Sequence, residues 1–300
     1  MSESKPGNGN GHKIANHFYR PPERVVSLVP SITESMIELG FGKALVGVTD
    51  YCIYPKGQVE ALPHLGGTKN PRVDEIIALR PDLVIANWEE NTLQTVEALE
   101  AVGIWVWVIF PKTVRQALDV LWTLVGLFHN GLAAARVESM EVALDWAQKA
   151  AQQRTPVRYF CPIWFDDKDP NKTWWMTFNQ QTYSHDLLHI LGCENVFAKR
   201  ERSYPLDADL GLAEPEDPAG RDQRYPRISR DELSSVDPDL ILLPDEPYLF
   251  SEDHQNKLSE LFPGMRAVKE GWIRRVDGSL LTWHGTRLAK ALQVIPEIIE

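Results

Sequence analysis

The sequence contains few cysteines, and no pattern links them to one another. Cys52, Cys161 and Cys193 are the three in the chain, and they are widely spaced, odd in number and without a CxxC pair. Neither a disulfide framework nor a cysteine zinc site is indicated by this spacing. We expect three buried free thiols.

Long apolar runs and an excess of positive charge are also missing. No run approaches the roughly 18 apolar residues of a membrane span, and residues 1–22 lack the apolar core of an export signal. The sequence as it stands therefore predicts a cytoplasmic chain, or a periplasmic or cell-surface one if the native N-terminus had been removed. The 31 basic and 42 acidic residues give a net charge of -11, which repels phosphate backbones, so we expect no nucleic-acid partner.

Motifs of the common enzyme classes are absent as well. The sequence has no nucleophile elbow and no phosphate-cradling glycine loop, and residues 27–31, at the end of the first apolar run, contain no glycine. Carboxylates are plentiful, but no two of them form a recognisable acid/base pair. We therefore expect a protein that is not an enzyme.

What the chain does contain is an internal repeat. Residues 74–85 recur in similar form at residues 231–242, at a constant offset of 157. Each copy predicts a short helix that stops at Pro-Asp, because proline disfavours helical geometry in the residue before it, and then an apolar strand. A looser echo, residues 34–40 and 186–192, predicts two helices that each end at a glycine. Two similar lobes follow from these repeats.

Strand and helix patterns alternate throughout both halves of the chain. The apolar β runs are residues 24–29, 44–49, 83–86, 104–110, 157–163, 240–243 and 271–276. Capping boxes beginning at Ser31, Thr113 and Ser229 predict three helix starts. Alternation of this kind predicts an α/β fold with parallel sheets, whose ligands bind beyond the carboxyl ends of the strands.

The same patterns set the expected boundaries. We expect a disordered N-terminal tail, an N-terminal α/β lobe, an inter-lobe helix and a C-terminal α/β lobe, over residues 1–22, 23–112, 113–154 and 155–300. In the inter-lobe helix, residues 113–154, apolar residues recur every three or four positions and so share one face, and a break is predicted at residues 129–131. Residues 199–227, charged and rich in proline and glycine, predict a surface insertion.

Aromatic and polar residues follow the predicted strands and form the candidate ligand surface. In the first lobe they are Pro30, Ser31, Tyr51, Trp88, Glu89, Asn91 and Phe110, and in the second Trp174, Tyr248, Trp283 and His284. Broad rings from both lobes predict a groove suited to a large, partly flat and partly apolar ligand. Packing of the tryptophans under long loops is the alternative, although three polar neighbours make Trp88 hard to bury.

Histidines leave the question of metal binding open. His185 and His189 lie four residues apart on a predicted helix, but they lack the glutamate of a catalytic zinc motif. His284 could be an axial ligand to the metal of a macrocycle, a hydrogen-bond donor or a structural histidine. We expect no metal site built by the protein alone.

Residues 24–34, Gly66-Gly67 and the two repeat copies together resemble the substrate-binding proteins of cobalamin and iron-siderophore ABC importers, the helical-backbone metal receptors. The resemblance runs from about Arg24 to the C-terminus and is strongest to the cobalamin branch. It implies two parallel-sheet α/β lobes joined by a long backbone helix, as in class III periplasmic binding proteins. It also implies a corrinoid, or a related metal chelate, held between the lobes by aromatic side chains near Tyr51, Trp88 and Trp283, with no tightly bound cofactor.

The resemblance further implies a membrane partner. The family docks an acidic residue of each lobe onto arginines of the importer permease, and the matching positions are Asp74 and Asp231. First-turn acids favoured by the helix dipole are the simpler explanation. We expect a monomer. A ferric-siderophore, haem or metal-ion receptor of the same fold is one alternative, and an intracellular enzyme or regulator that has kept this fold is another.

Overall fold

A computed structural model describes residue 14, residues 18–169 and residues 172–300. Most of the predicted tail, residues 1–22, lies outside the described residues. The chain divides into two compact units. Unit 1 contains the chain up to Ala143 together with Trp283–Ala289, and unit 2 contains Leu144–Thr282 and Lys290–Glu300.

Unit 1 is built on a four-stranded parallel sheet. In chain order its elements are β1 (Val25–Ser27), α1 (Pro30–Glu38), β2 (Leu45–Val48), α2 (Val73–Ala78), β3 (Leu83–Asn87), α3 (Leu93–Ala101), β4 (Trp105–Ile109) and α4 (Val114–Phe128). The strand order is β2-β1-β3-β4, and every neighbouring pair is parallel. All five residues of β3 are buried, as expected for a central parallel strand covered on both faces.

Helix α5 (Gly131–Ala151) contains the division between the units, and unit 2 follows it. The elements of unit 2 are β5 (Val157–Phe160), β6 (Trp164–Asp166), β7 (Trp174–Met176), α6 (Tyr183–Ile190), β8 (Cys193–Asn195), α7 (Leu206–Asp209), β9 (Arg227–Ser229), α8 (Arg230–Val236), β10 (Leu240–Pro244), α9 (Glu252–Leu261), α10 (Arg266–Lys269), β11 (Ile273–Val276) and α11 (Ser279–Thr282). The last helix is α12 (Leu288–Ile299). A parallel sheet in the order β11-β10-β5-β8 forms the centre of unit 2.

The internal repeat corresponds to a repeated topology. Strands β3 and β10 are the two repeat strands, and each lies between the first strand of its unit and the last. Read from the opposite edge, the second sheet has the order β8-β5-β10-β11, which matches β2-β1-β3-β4 element by element. Gly40 and Gly192, the helix-ending glycines of the looser echo, both have positive φ, +86° and +89°. The predicted fold of two parallel-sheet α/β units is confirmed.

Two of the three predicted helix starts are confirmed. The Thr113 side chain accepts a hydrogen bond from the backbone N–H of Gln116, and Ser229 accepts one from that of Glu232. The start at Ser31 was wrong: α1 begins one residue earlier at Pro30, after Val29, which has no side-chain cap. Proline favours the first position of a helix because its missing N–H has no partner to lose there.

The predicted break between the two connecting helices is confirmed. Helix α4 ends at Phe128, and His129 follows with a left-handed φ of +51°. Asn130 then caps the next helix, since its Oδ1 accepts hydrogen bonds from the backbone N–H groups of Leu132 and Ala133.

A small antiparallel sheet in unit 2 was not predicted. Strands β6, β7 and β9 pair in that order and are antiparallel. Trp175 of β7 is only 1% exposed and stacks on Phe165 at 5.4 Å between ring centroids. The strands are three residues long and lack a clear alternation, so burial of Trp175 rather than a local pattern defines them.

The segment at residues 199–227 is anchored by a buried carboxylate. Asp209 Oδ1 accepts from Arg200 Nη1 at 3.0 Å, and its Oδ2 accepts from Arg227 Nε at 2.7 Å. The Asp209 side chain has no exposed surface. The three cysteines are buried and free, as expected. Within the described parts of the chain, no helix is long and apolar enough to cross a membrane.

Candidate functional site

The carboxyl edge of the unit 1 sheet gathers most of the predicted site residues. Because all four strands are parallel, the segments that follow them leave the sheet at the same edge. These segments contain Ser31 after β1, Tyr51 after β2, Trp88 after β3 and Phe110 after β4. Residues 283–289 return to the same unit.

The turn after β3 is held by its own amide side chains. Asn87 Oδ1 accepts from the Glu89 backbone N–H at 2.7 Å, and Asn91 Oδ1 accepts from the Asn87 backbone N–H at 2.7 Å. Asn91 Nδ2 also donates to the Thr68 carbonyl at 2.8 Å. Asn91, predicted to contact ligand, is thus 6% exposed and shapes the turn that presents Trp88.

Two aromatic rings lie side by side at this edge. Trp88 is 38% exposed, as its polar neighbours predict, and its ring centroid is 6.5 Å from that of Phe110. The backbone N–H of Trp88 donates to the Ile109 carbonyl at 3.0 Å, which extends the pairing of β3 with β4 beyond the strand. The backbone of Trp88 is therefore held by the sheet.

His284 is buried between two polar side chains of the same unit. Its Nε2 lies 3.2 Å from Asn87 Nδ2, and its Nδ1 lies 3.5 Å from Ser31 Oγ. Since Asn87 Oδ1 already accepts from Glu89, its Nδ2 must face the ring, and Nδ2 can only donate. His284 Nε2 is therefore the acceptor, Nδ1 carries the proton and donates to Ser31, and the imidazole is neutral.

The environment of His284 keeps it in that state. The residue is 5% exposed, and burial lowers its pKa from 6.5 to about 4. Both ring nitrogens are occupied by side chains of unit 1, so among the alternatives from the sequence this geometry favours a structural histidine over an axial ligand.

A second set of contacts surrounds Arg287. Its Nε donates to Glu34 Oε2 at 2.7 Å and its Nη2 to Glu34 Oε1 at 2.5 Å, and both side chains are buried. The guanidinium lies over the rings of Tyr54 and Trp283, at 4.3 and 4.8 Å from the ring centroids. These two rings meet edge to face at 5.8 Å.

The close approach of residues 283–287 to α1 requires a glycine. Gly285 has φ +108°, and a Cβ there would lie 2.3 Å from Ser35 Oγ. Ser35 Oγ accepts from the Thr286 backbone N–H at 3.1 Å and donates to the Ser31 carbonyl at 2.7 Å. A side chain at position 285 would separate these elements.

The other predicted residues differ widely in exposure. Tyr51 is 61% exposed, whereas Pro30 and Ser31 are buried. Glu89, Phe110 and Trp283 are half-buried. The sequence placed Trp283 and His284 in the second lobe, but both lie in unit 1 because the chain returns there for residues 283–289.

Unit 2 presents a separate pair of rings after β5 and β10. Trp164 is 44% exposed and meets Tyr248 edge to face at 5.2 Å. The Tyr248 hydroxyl lies 3.0 Å from His254 Nε2, which fixes the phenol. Trp174, also predicted to contact ligand, is half-buried in β7.

The histidine pair of α6 shows no metal geometry. The rings of His185 and His189 stack in parallel, with centroids 5.8 Å apart. Burial and the neighbouring His189 lower the pKa of His185 to about 4. The described residues contain no group of three or more histidines, cysteines or carboxylates placed to hold a metal ion.

Sequence inspection missed Asn87, Glu34, Tyr54 and Arg287. Asn87 is the last residue of β3, so the rule that directs attention to strand ends could have found it. The pairing of Glu34 with Arg287 joins positions 253 residues apart, and no local pattern indicates it.

The family model for periplasmic binding proteins matches residues 25–280, most of the chain. The chain belongs to the periplasmic binding protein family. A vitamin B12-binding protein of Vibrio cholerae is 28% identical to this periplasmic binding protein over 191 residues, covering 62% of this chain and 64% of the relative. The match thus spans less than two thirds of that relative's length.

Solved structures show the same fold. The periplasmic vitamin B12-binding protein of Vibrio cholerae superposes with a TM-score of 0.71 at 20% identity, covering 93% of this chain and 97% of that one. A periplasmic haem-binding protein of Pseudomonas aeruginosa gives a TM-score of 0.71 at 21% identity, covering 93% and 92%. The family resemblance seen in the sequence is confirmed.

Proposed function

We propose that this periplasmic binding protein is a non-catalytic receptor for a corrinoid of the cobalamin type, or for a closely related metal chelate, and that it serves an ABC importer. The observation that carries the proposal is the pair of rings at the carboxyl edge of unit 1, Trp88 and Phe110, with the Trp88 ring accessible and its backbone held by the sheet. A macrocycle offers a broad apolar face, and an aromatic contact adds about 0.5–1.5 kcal/mol beyond the area that it buries. Tyr51 and Trp283 add further accessible ring surface in the same unit.

The state of His284 bears on how such a ligand is held. A neutral imidazole with Nε2 accepting from Asn87 and Nδ1 donating to Ser31 has no lone pair directed at a ligand. The proposed receptor therefore binds its chelate through the ligand's rings and edges and supplies no axial ligand from His284. A corrinoid whose two axial positions are already filled suits such a site.

The comparisons support the same ligand class. The curated relative from Vibrio cholerae is named a vitamin B12-binding protein. The family model, which matches residues 25–280, covers the strand ends of unit 1 at Trp88 and Phe110. The solved haem-binding protein shares the fold at 21% identity, so haem is the comparison ligand in the test. We propose a periplasmic rather than a cytoplasmic location, because the chain belongs to the family of periplasmic binding proteins.

Docking to a permease is the second part of the proposal. Asp74 and Asp231 lie in the first turns of α2 and α8, both are exposed, and neither carboxylate has an ion-pair partner among the described residues. Asp231 also borders a surface depression of about 560 Å³ that is lined by residues 261–265. An unpaired acid beside a depression suits an arginine of a partner protein.

The test is to titrate the purified chain separately with cobalamin, haemin and a ferric siderophore. Binding is measured by calorimetry and by the change in the absorbance of the ligand. We expect saturable one-to-one binding of cobalamin and weaker binding of the other two. Binding of haemin alone would transfer the proposal to the haem branch. No binding of cobalamin at tens of micromolar would remove the corrinoid.

A further inference from the structure

Arg287 forms a bidentate pair with Glu34, which is more than a single ionic contact. Two parallel hydrogen bonds join its guanidinium to the Glu34 carboxylate, at 2.7 and 2.5 Å. This fork fixes the plane of the guanidinium, since both bonds must lie close to that plane. Arg287 and Glu34 are 6% exposed each, so solvent does little to loosen the arrangement.

Two aromatic rings lie within cation–π distance of the guanidinium. The guanidinium carbon is 4.3 Å from the ring centroid of Tyr54 and 4.8 Å from that of Trp283. A planar cation stacks on ring faces with a defined orientation, which a lysine ammonium cannot reproduce. The edge-to-face contact of Tyr54 with Trp283, at 5.8 Å, completes a three-membered cluster.

Helix α1 also holds the cluster, through two neighbouring residues. Glu34 and Ser35 are neighbours on that helix; Glu34 holds Arg287, and Ser35 accepts from the backbone N–H of Thr286. A buried ion pair is a weak source of stability compared with apolar residues of similar volume, because removing both charges from water offsets their attraction. The main physical effect of the Glu34–Arg287 pair is therefore to fix the orientation of the Arg287 guanidinium.

We propose that Arg287, locked by Glu34, is a positioning residue that sets the Trp283 indole and the Tyr54 ring for the ligand. The proposal rests on the function proposed above, because it assigns these rings to the same ligand surface as Trp88. Arg287 itself is buried and acts through the rings that it holds.

The first test compares variants of the pair by their affinity for cobalamin. Arg287→Lys keeps the charge but loses the fork and the plane, and Glu34→Gln keeps the shape of the partner but weakens the fork. We expect each to weaken binding about tenfold, and the double variant to bind no worse than the single ones, because contacts in one network are not additive. Arg136→Lys, at the more exposed pair of Arg136 with Glu38, is the matched control and should bind as the wild type does.

The second test needs no ligand and separates positioning from stability. The contribution of Trp283 to the near-ultraviolet circular dichroism is the difference between a protein with Trp283 and its Trp283→Phe variant. We expect a clear contribution in the wild-type background and a much smaller one in the Arg287→Lys and Glu34→Gln backgrounds, while thermal unfolding stays cooperative.

An unchanged Trp283 contribution to the circular dichroism in both variant backgrounds would overturn the positioning role. If the wild type binds cobalamin, equal affinity in the Arg287→Lys and Glu34→Gln variants would overturn it too. If Arg287→Lys fails to fold, Glu34→Gln decides both tests. A wild type that binds neither cobalamin nor haemin would overturn the proposed function and with it the assignment of the rings to a ligand.

Discussion

Asn87 and His284 are 197 positions apart in the chain, and their side chains meet with Asn87 Nδ2 at 3.2 Å from His284 Nε2. The contact joins the end of β3 to the returning segment of residues 283–289, and it does so beside Trp88. It links the turn that carries the accessible indole to the returning segment, and burial keeps the imidazole neutral.

The neutral state of His284 makes stability depend on pH. Its pKa is about 4 in the folded chain and about 6.5 when unfolded, so the unfolded state takes up a proton first as the pH falls. The stabilising contribution is complete above pH ~6.5 and is lost between there and pH ~4, by at most about 3 kcal/mol. His284→Asn should therefore lose less stability than the wild type over this interval.

Denaturant unfolding at pH 7, 5.5 and 4 measures this difference. His185→Asn is the comparison variant, because the pKa of His185 is also lowered to about 4, so His185 adds its own pH dependence in unit 2. Equal pH dependence in the wild type and His284→Asn would show that His284 is not a buried neutral histidine.

The same geometry predicts the spectrum of a bound corrinoid. Because neither ring nitrogen of His284 is available to cobalt, the visible absorption of bound cobalamin should be the same in the wild type and in His284→Asn. The measurement is the difference spectrum at saturating protein. A shift of the cobalt bands that is present in the wild type and lost in the variant would show axial ligation by His284.

Trp88 is expected to contribute strongly to binding. Trp88→Ala should weaken cobalamin binding by about 1–3 kcal/mol, the range for a well-packed aromatic anchor, and Trp88→Phe by less. Trp146→Ala is a suitable control, since Trp146 is 73% exposed on α5 and follows none of the strands. Calorimetric affinities for the three variants decide whether Trp88 contacts ligand or merely lies at the surface.

Gly285 is expected to be intolerant of a side chain. Gly285→Ala forces a Cβ to 2.3 Å from Ser35 Oγ at a φ of +108°, so it should lower the free energy of unfolding by about 2–4 kcal/mol. Gly126→Ala is the control, because nothing lies within 4 Å of a Cβ at that position in α4, and alanine favours a helix. Chemical denaturation compares the two; equal stability would mean that residues 283–287 are loosely packed on α1.

The repeat elements of the fold were predictable because their signals are local. Pro81-Asp82 and Pro238-Asp239 lie between the end of each helix and the start of β3 and β10, and each apolar run is long enough to identify a strand. The sheet formed by β6, β7 and β9 was missed because its strands are short and are defined by the burial of Trp175.

The candidate site was predictable only in part. Trp88 and Tyr51 could be found because an accessible ring after a strand is a local feature. The partners of His284 and Arg287 could not, since they come from positions 197 to 253 residues away. Ser31 was expected at a helix cap, but it lies inside α1, where its Oγ is 3.5 Å from His284 Nδ1.

A calorimetric titration of the whole chain with cobalamin tests the central claim most directly. The account predicts a saturable heat with one site per chain and affinity in the low micromolar range or tighter, reduced at least about fivefold in Trp88→Ala. The absence of heat and of any spectral change at tens of micromolar cobalamin, or equal affinity in the wild type and Trp88→Ala, would contradict it.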